Sequence, residues 1–238
     1  MDKDLKLIMF DLDNTLFPFD ELWRDANKKA FDNYKIIQGI EYDDFIPLYR
    51  SYDDYFWKQH DAGLISLDEL RELRLIKTLE DFGIYISHKD ANEYFQMFFN
   101  ILISNIKMNP KLNELLATLK KDIHIAILTN GKIREQTKKI KNLNLDFIFK
   151  NNIFISEEIG VEKPDAKAFL KVTKALNVTP EATLFVGDSW KNDICGALNV
   201  NMQAVWLNTS NQNEQIERNN LCIFNGQIES LIEKLINR

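Results

Sequence analysis

The sequence predicts an α/β fold: a parallel sheet with helices on both faces, plus an all-helical segment inserted after the first strand. Three observations lead there. Short continuous apolar runs recur along the chain, each ending at a polar or acidic turn. Helical periodicities separate the later runs, and the interval between the first and second runs has helical spacing throughout. Continuous apolar runs mark strands covered on both faces, and their alternation with helices is the pattern of a parallel sheet.

The first run, Leu5 to Phe10 (LKLIMF), stops at Asp11. From about Phe17 to Lys107 the apolar positions follow a helical period. They include Tyr52, Tyr55, Phe56 with Gln59, then Leu67, Leu70, Leu73, Ile76 and Leu79, then Tyr94, Phe95, Phe98, Phe99 and Leu102. About four helices are expected there, broken near Gly39, Gly63 and Gly83. This divides the chain into an α/β core, 1–16 with 108–238, and a helical unit, 17–107, expected over the carboxyl ends of the strands. A helix over about 110–121 leads to Ile123 to Leu128 (IHIAIL), which ends at Thr129-Asn130-Gly131, and a second helix covers about 132–142. Lys163-Pro164 follows Ile153 to Ser156 in a loop and opens a helix over about 165–177. Thr183 to Val186 (TLFV) ends at Gly187-Asp188, a helix covers about 192–199, and Ala204 to Leu207 (AVWL) ends at Asn208-Thr209.

With 238 residues and 27.9 kDa, the chain can bury a sizeable core. Its 45% hydrophobic and 28% charged residues exclude disordered, collagen-like and disulfide-scaffold classes. A formal charge of -6 repels nucleic acid and anionic membrane, so neither is expected as a partner, and any bound phosphate needs local neutralisation. No obligatory protein partner is evident. Cys195 and Cys222 lack CxxC spacing and read as reduced thiols. Met1-Asp2-Lys3-Asp4 lacks the basic region of a signal peptide, and no apolar run approaches the roughly 20 residues of a membrane span. A cytoplasmic location is the expectation.

Ligands of open parallel sheets bind outside the carboxyl ends of the strands, so the residues after each run outline the pocket. They are Asp11 and Asp13, Thr129 and Asn130, and Asp188 and Asp193, joined by Lys163. Two like charges about 4 Å apart repel by roughly 4 kcal/mol at an effective dielectric near 20. Four such carboxylates therefore need protons or a divalent cation, and hard oxygen ligands favour Mg²⁺. Each signal alone is ordinary, since acids, Thr-Asn-Gly turns and Lys-Pro helix starts are common. Their conjunction, in order and each at a strand end or helix start, carries the argument.

Asp11-Leu12-Asp13-Asn14-Thr15, Leu128-Thr129-Asn130-Gly131, Lys163-Pro164 and Gly187-Asp188-Ser189-Trp190-Lys191-Asn192-Asp193 resemble the ordered motifs of the haloacid dehalogenase (HAD) superfamily. The insert resembles that family's C1 cap, so the resemblance spans essentially the whole chain and implies a Rossmannoid core. It implies further that Asp11 attacks phosphorus to form an aspartyl-phosphate, and that Asp13 is general acid and then general base. Mg²⁺ would be held by the Asp11 and Asp188 carboxylates and the Asp13 carbonyl, with Asp193 orienting Lys163 and reaching the metal through water. Thr129 and the Asn130 amide would bind phosphoryl oxygens, and Lys163 would offset charge. Asn14, where many members have Gly, tolerates a left-handed backbone. Ala166 stands where Pro is common and loses only a helix-start signal.

The implied activity is Mg²⁺-dependent hydrolysis of small soluble phosphate esters. The stretch Asp11 to Phe17 is similar to the pyrimidine 5'-nucleotidase branch, with phosphoglycolate and sugar-phosphate phosphatases close, so a nucleoside 5'-monophosphate is the first expected substrate. A haloacid dehalogenase, a phosphomutase and a non-catalytic phosphate- or metal-binding module are the alternatives. Phe17 and Phe19 follow the nucleophile loop and are candidate substrate contacts. Tyr52, Tyr55, Phe56, Trp57, Phe95, Phe98 and Phe99 read as core of the insert. Trp190 is expected against the following helix, His60, His88 and His124 lack metal-ligand spacing, and Asp43-Asp44 and Asp53-Asp54 read as solvated helix faces.

Overall fold

The computed structural model describes residues 4–208 and 219–237; Met1 to Lys3 and Thr209 lie outside the described residues. Two compact units emerge, Met1–Phe19 with Ile106–Arg238, and Asp20–Asn105. Among the described residues the first contains six strands, all parallel: β1 (Leu7–Phe10), β2 (His124–Thr129), β3 (Ile153–Ile155), β4 (Thr183–Gly187), β5 (Gln203–Leu207) and β6 (Leu221–Phe224). Their order is β3-β2-β1-β4-β5-β6, the doubly wound arrangement whose direction reverses between β1 and β4.

The helices in chain order are α1 (Phe19–Asn33), α2 (Tyr42–Asp61), α3 (Leu67–Asp81), α4 (His88–Asn105), α5 (Pro110–Leu119), α6 (Ile133–Asn142), α7 (Leu145–Phe149), α8 (Ser156–Ile159), α9 (Ala166–Ala175), α10 (Cys195–Asn199) and α11 (Ile228–Ile236). All four residues of β1 are buried, as a strand covered on both faces requires. Leu7 and Met9 join Phe185, Phe169 of α9 and Ala197 of α10 in one core layer, while Phe10 meets Phe149 of α7 edge-on at 6.3 Å on the other face. Each such apolar side chain contributes about 1.5–3 kcal/mol by leaving water. The short strand β3, the edge strand β6 and helices α7, α8 and α11 add to the elements read from the sequence. α11 fixes itself to α5 through Asn109 to Glu229 at 2.7 Å and Lys111 to Glu233 at 2.9 Å.

The second unit is helical, with breaks at Gly39, Gly63 and Gly83, all at positive φ. Phe45, Tyr49 and Tyr94 are fully buried, and Phe45 stacks on Tyr49 at 5.1 Å. Phe56, Phe95, Phe98 and Phe99 are core, but Tyr55 and Trp57 are exposed, so the core reading fails for those two. Both lie on α2 beyond the stripe set by Phe45, Tyr49 and Phe56. Asp43, Asp44 and Asp54 are solvated, whereas Asp53 binds the buried Arg74 guanidinium at 2.5 Å. The reason is a second layer of burial: Arg74 also lies over the Tyr49 ring, and Asp53 supplies its counter-charge. His88 and His124 are exposed, His88 pairing with Glu72 at 2.7 Å.

Ser66 starts α3 with a reciprocal capping box, its side chain accepting from the Glu69 N–H while Glu69 accepts from the Ser66 N–H. Replacing Ser66 with Ala should cost about 1 kcal/mol of stability. Chemical denaturation checks this, and an unchanged midpoint would mean that the cap does not hold the helix in solution.

Candidate active site

The residues singled out from the sequence converge at the carboxyl ends of β1, β2 and β4. Asp11 follows β1, and its N–H still donates to Val186 of β4 at 2.9 Å, so the ladder carries it to the crevice between the two strands. The chain then turns tightly, with Leu16 N–H bonding Leu12 C=O at 2.9 Å and Asn14 at φ 58. Asn accepts that left-handed geometry where most side chains do not. Helix α9 starts at Ala166 without a proline, because Asp165 caps it by accepting from Lys167 N–H at 2.8 Å.

Lys163 binds two of the acids at once. Its Nζ lies 2.5 Å from Asp11 Oδ1 and 2.6 Å from Asp193 Oδ1, and all three residues are buried. Asp193 is fixed from the other side as well, its Oδ2 accepting from Ser189 N–H at 3.0 Å across a short π-helical turn, Trp190–Ile194. Such turns are frequent at functional sites. Asn130 grips the Lys163 backbone in both directions, its Nδ2 donating to the Lys163 carbonyl and its Oδ1 accepting from the Lys163 N–H, each at 2.9 Å. The Asp188 carbonyl accepts from Trp206 Nε1 at 2.8 Å, and Trp190 rests on Trp206, a neighbour on β5, at 4.9 Å.

The Asp11, Asp188 and Asp193 carboxylates offer oxygens within 4.8 Å of one another. Burial raises Asp11 well above the usual carboxylate range; Lys163 opposes that rise, and Asp193, Asp188 and Asp13 add to it. Burial alone would lower the Lys163 ammonium, but Asp11 and Asp193 outweigh it and hold the group charged. A buried carboxyl crowded by like charges ionises only if more positive charge arrives. An all-oxygen donor set at this spacing fits a hard divalent cation such as Mg²⁺.

Asp13 stands apart from that trio. Its two oxygens lie 2.9 and 2.8 Å from the Nζ of Lys139, and its Oδ2 accepts from Gln136 Nε2 at 3.2 Å. Gln136 also reaches Thr129 Oγ1 at 2.6 Å and the Asn130 carbonyl at 2.9 Å. The rings of Phe17 and Phe19 flank the Lys139 ammonium, Phe19 at 4.4 Å. Gln136 and Lys139 went unread in the sequence. They occupy inward i and i+3 positions of α6 beside Ile140, a burial that the Lys-rich sequence of this helix does not signal.

A family model for haloacid dehalogenase-like hydrolases matches residues 5–201. The chain belongs to that family. A glyceraldehyde 3-phosphate phosphatase of Pyrococcus furiosus is 32% identical over 210 residues, covering 85% of this chain and 80% of the relative. A pyrimidine 5'-nucleotidase, PynA, of Streptococcus pneumoniae is 28% identical over 212 residues, covering 85% and 84%. A crystal structure of the HAD-hydrolase YfnB of Bacillus subtilis, described as putative and bound to magnesium, shares the fold with a TM-score of 0.80 at 24% identity, covering 97% of this chain and 98% of that one. This HAD-family hydrolase thus carries its acidic cluster where the sheet reverses direction.

Two outcomes follow from the geometry. A methyl group at Gly187 would lie 2.4 Å from Asp193 Oδ2, a side chain already held at both ends. Gly187→Ala should therefore shift Asp193 and lower kcat/KM at least about tenfold, one tenfold being about 1.4 kcal/mol of transition-state stabilisation. Steady-state rates check it, and an unchanged kcat/KM would show that Asp193 tolerates displacement. The second outcome concerns pH. Because Asp11 is raised when folded, the cation-free protein holds a proton there that the unfolded chain releases, so it loses stability as pH rises from the ordinary carboxylate range towards the raised value. A divalent cation taken up by these acids would displace that proton, so Mg²⁺ should raise the melting temperature more at about pH 7.5 than at about pH 5. An equal shift at both would dissociate Asp11 from the cation.

Proposed function

We propose that this chain is a Mg²⁺-dependent phosphomonoesterase that works through an aspartyl-phosphate on Asp11. The observation that carries the reading is the separation of two carboxylates only two residues apart. Asp11 faces Lys163 and the other acids, and Asp13 faces a different ammonium. Unlike surroundings are what two neighbouring carboxyls need to take different roles, and Asp11 is assigned the nucleophile's because it adjoins Lys163 and the acids that could share a cation able to ionise it.

Asp11, Asp188, Asp193 and the Asp13 backbone carbonyl are the groups assigned to Mg²⁺, which when bound would supply the positive charge that brings an anionic ester to an anionic nucleophile. The Asp11 carboxylate forms a bond to phosphorus as the ester P–O bond breaks, and Asp13 gives its proton to the leaving oxygen. Asp13 then takes a proton from water as that water displaces Asp11 from phosphorus. Lys163 remains between Asp11 and Asp193, offsetting charge through both steps. Thr129 Oγ1 is assigned to the phosphoryl oxygens. The Asn130 side chain is engaged with Lys163, so the contact from that residue is assigned to its backbone N–H.

Asp13 and the Asp188/Asp193 pair favour this reading over a dehalogenase, which has no leaving alkoxide to protonate and needs no metal. The helical insert is assigned the role of cap and the choice of substrate. Nucleoside 5'-monophosphates are the first class proposed, and the Pyrococcus relative favours triose phosphates as the second. The net charge of -6 supports small soluble esters over nucleic acid or anionic membrane. No helix is long and apolar enough to cross a membrane among the described residues, and a cytoplasmic location is part of the proposal.

Phosphate release from p-nitrophenyl phosphate should require Mg²⁺ and stop with EDTA, and Asp11→Asn should reduce turnover to background while the fold persists. Activity that survives chelation, or that survives in the Asn variant, would overturn the mechanism. Ranking nucleotide, triose, sugar and glycolate phosphates by kcat/KM tests the substrate assignment, which fails if both nucleotides and triose phosphates rank below the others.

A further inference from the structure

We infer that Lys139, with Gln136, is the positioning device for Asp13: together they hold its carboxylate turned from the metal trio, so that it serves the leaving group and not the cation. The inference rests on the phosphatase reading above and adds the residues that keep two neighbouring aspartates in different roles.

Asp13 has every reason to join the acids beside it. It lies two residues from Asp11, and in a crowded anionic site a divalent cation attracts any carboxylate within reach. A carboxylate so bound could not carry a proton. Its oxygens instead meet two donors from α6. Lys139 Nζ contacts both oxygens at 2.9 and 2.8 Å, and Gln136 Nε2 approaches one of them at 3.2 Å. Neither donor can become a competing acceptor through these nitrogens. Each carboxyl oxygen has two acceptor positions, so the clamp leaves room for the proton that Asp13 must carry.

The clamp is built into the fold. Lys139 has 6% side-chain exposure, and the Phe17 and Phe19 rings lie 5.9 and 4.4 Å from its ammonium. Screening by water is therefore weak, and cation–π attraction adds to the hold on the group. Asp13 also forms an isolated bridge with Phe17, which ties the loop carrying the acid to the ring covering its partner. Gln136 extends the device, since the same nitrogen that reaches Asp13 lies 2.6 Å from Thr129 Oγ1. The two hydrogens of this amide are thus divided among Thr129 Oγ1, the Asn130 carbonyl at 2.9 Å and Asp13, which is the longest of the three contacts, so Lys139 is the main hold on the acid. On this inference Phe17 and Phe19 act by enclosing Lys139.

The test compares esters that differ in their need for a proton. For a two-step displacement, kcat/KM reports events up to release of the leaving group. An alkyl oxygen leaves poorly unless protonated, whereas p-nitrophenolate leaves unaided. The probes are p-nitrophenyl phosphate and the best primary alkyl phosphate among the nucleotide, triose and sugar phosphates. In Lys139→Met, kcat/KM for the alkyl ester should fall at least about tenfold further than for p-nitrophenyl phosphate. Lys139→Arg, which can again donate to both oxygens, should restore most of the difference. Gln136→Leu should shift the same ratio in the same direction, and it decides the question if the Met variant does not fold. Calorimetric Mg²⁺ affinity should stay within about threefold of the parent in these variants, less than about 0.7 kcal/mol. Equal losses on both esters, or Mg²⁺ affinity falling in parallel with activity, would overturn the positioning role and leave the phosphatase reading intact. An unaltered enzyme that releases phosphate from neither ester would overturn both.

Discussion

The buried ammonium of Lys163 between Asp11 and Asp193 is the constraint around which the α/β unit is organised. A charge taken that far from water is tolerated only when its partners are close and well oriented, and breaking such a pair costs about 3–5 kcal/mol. The surrounding sequence supplies that orientation. Asn130 ties down the lysine's backbone, Ser189 fixes the far oxygen of Asp193, and Gly187 leaves the gap into which Asp193 fits. Strand order matters for the same reason. Reversal between β1 and β4 opens the crevice at which Asp11 meets the loop carrying Asp188 and Asp193, and the remainder of the sheet holds those two strands in register.

The parts of this arrangement at strand ends were legible in the sequence, because a buried strand declares itself as an apolar run and the first polar residue after it lies at the sheet's edge. Asp11, Thr129 and Asp188 were found that way. Lys163 needed the additional Lys-Pro signal, and Asp193 the helix that follows. Gln136 and Lys139 stayed hidden for a physical reason. Periodicity scores count apolar side chains, and Lys-rich α6 looks like a solvated helix until its buried positions are seen to be Gln136, Lys139 and Ile140. Asp53 was misread for a related reason, since its partner Arg74 lies on another helix and local charge pattern carries no information about it. β6 was passed over although LCIF is as apolar as the LIMF of β1; its mixed exposure is that of an edge strand.

Within the helical unit, aromatic residues at one period divide according to which side of α2 they occupy. Phe45, Tyr49 and Phe56 define the inward stripe, and Tyr55 and Trp57 fall outside it. The sequence cannot separate these sets, because an aromatic residue one position off the stripe still satisfies a loose helical template. Tyr52, at the margin, donates its hydroxyl to Asp81 at 3.0 Å. That is the usual compromise for a side chain with an apolar body and a polar tip.

Within a chain of net charge -6, two ammonium groups are gathered at the acidic cluster. Lys163 offsets charge on Asp11 and Asp193, and Lys139 offsets charge on Asp13, while Asp188 joins Asp11 and Asp193 in a trio whose oxygens could share a divalent cation. The two lysines are not interchangeable within that balance. Lys163 contacts two acids of the Asp11, Asp188 and Asp193 trio, whereas Lys139 contacts Asp13, which lies outside it. Pairing a cation with each carboxylate environment lets aspartates two residues apart keep different surroundings, although the backbone alone would deliver them to the same place. The difference between their surroundings is thus a property of α6 and of the loop before α9 as much as of the loop that carries both acids.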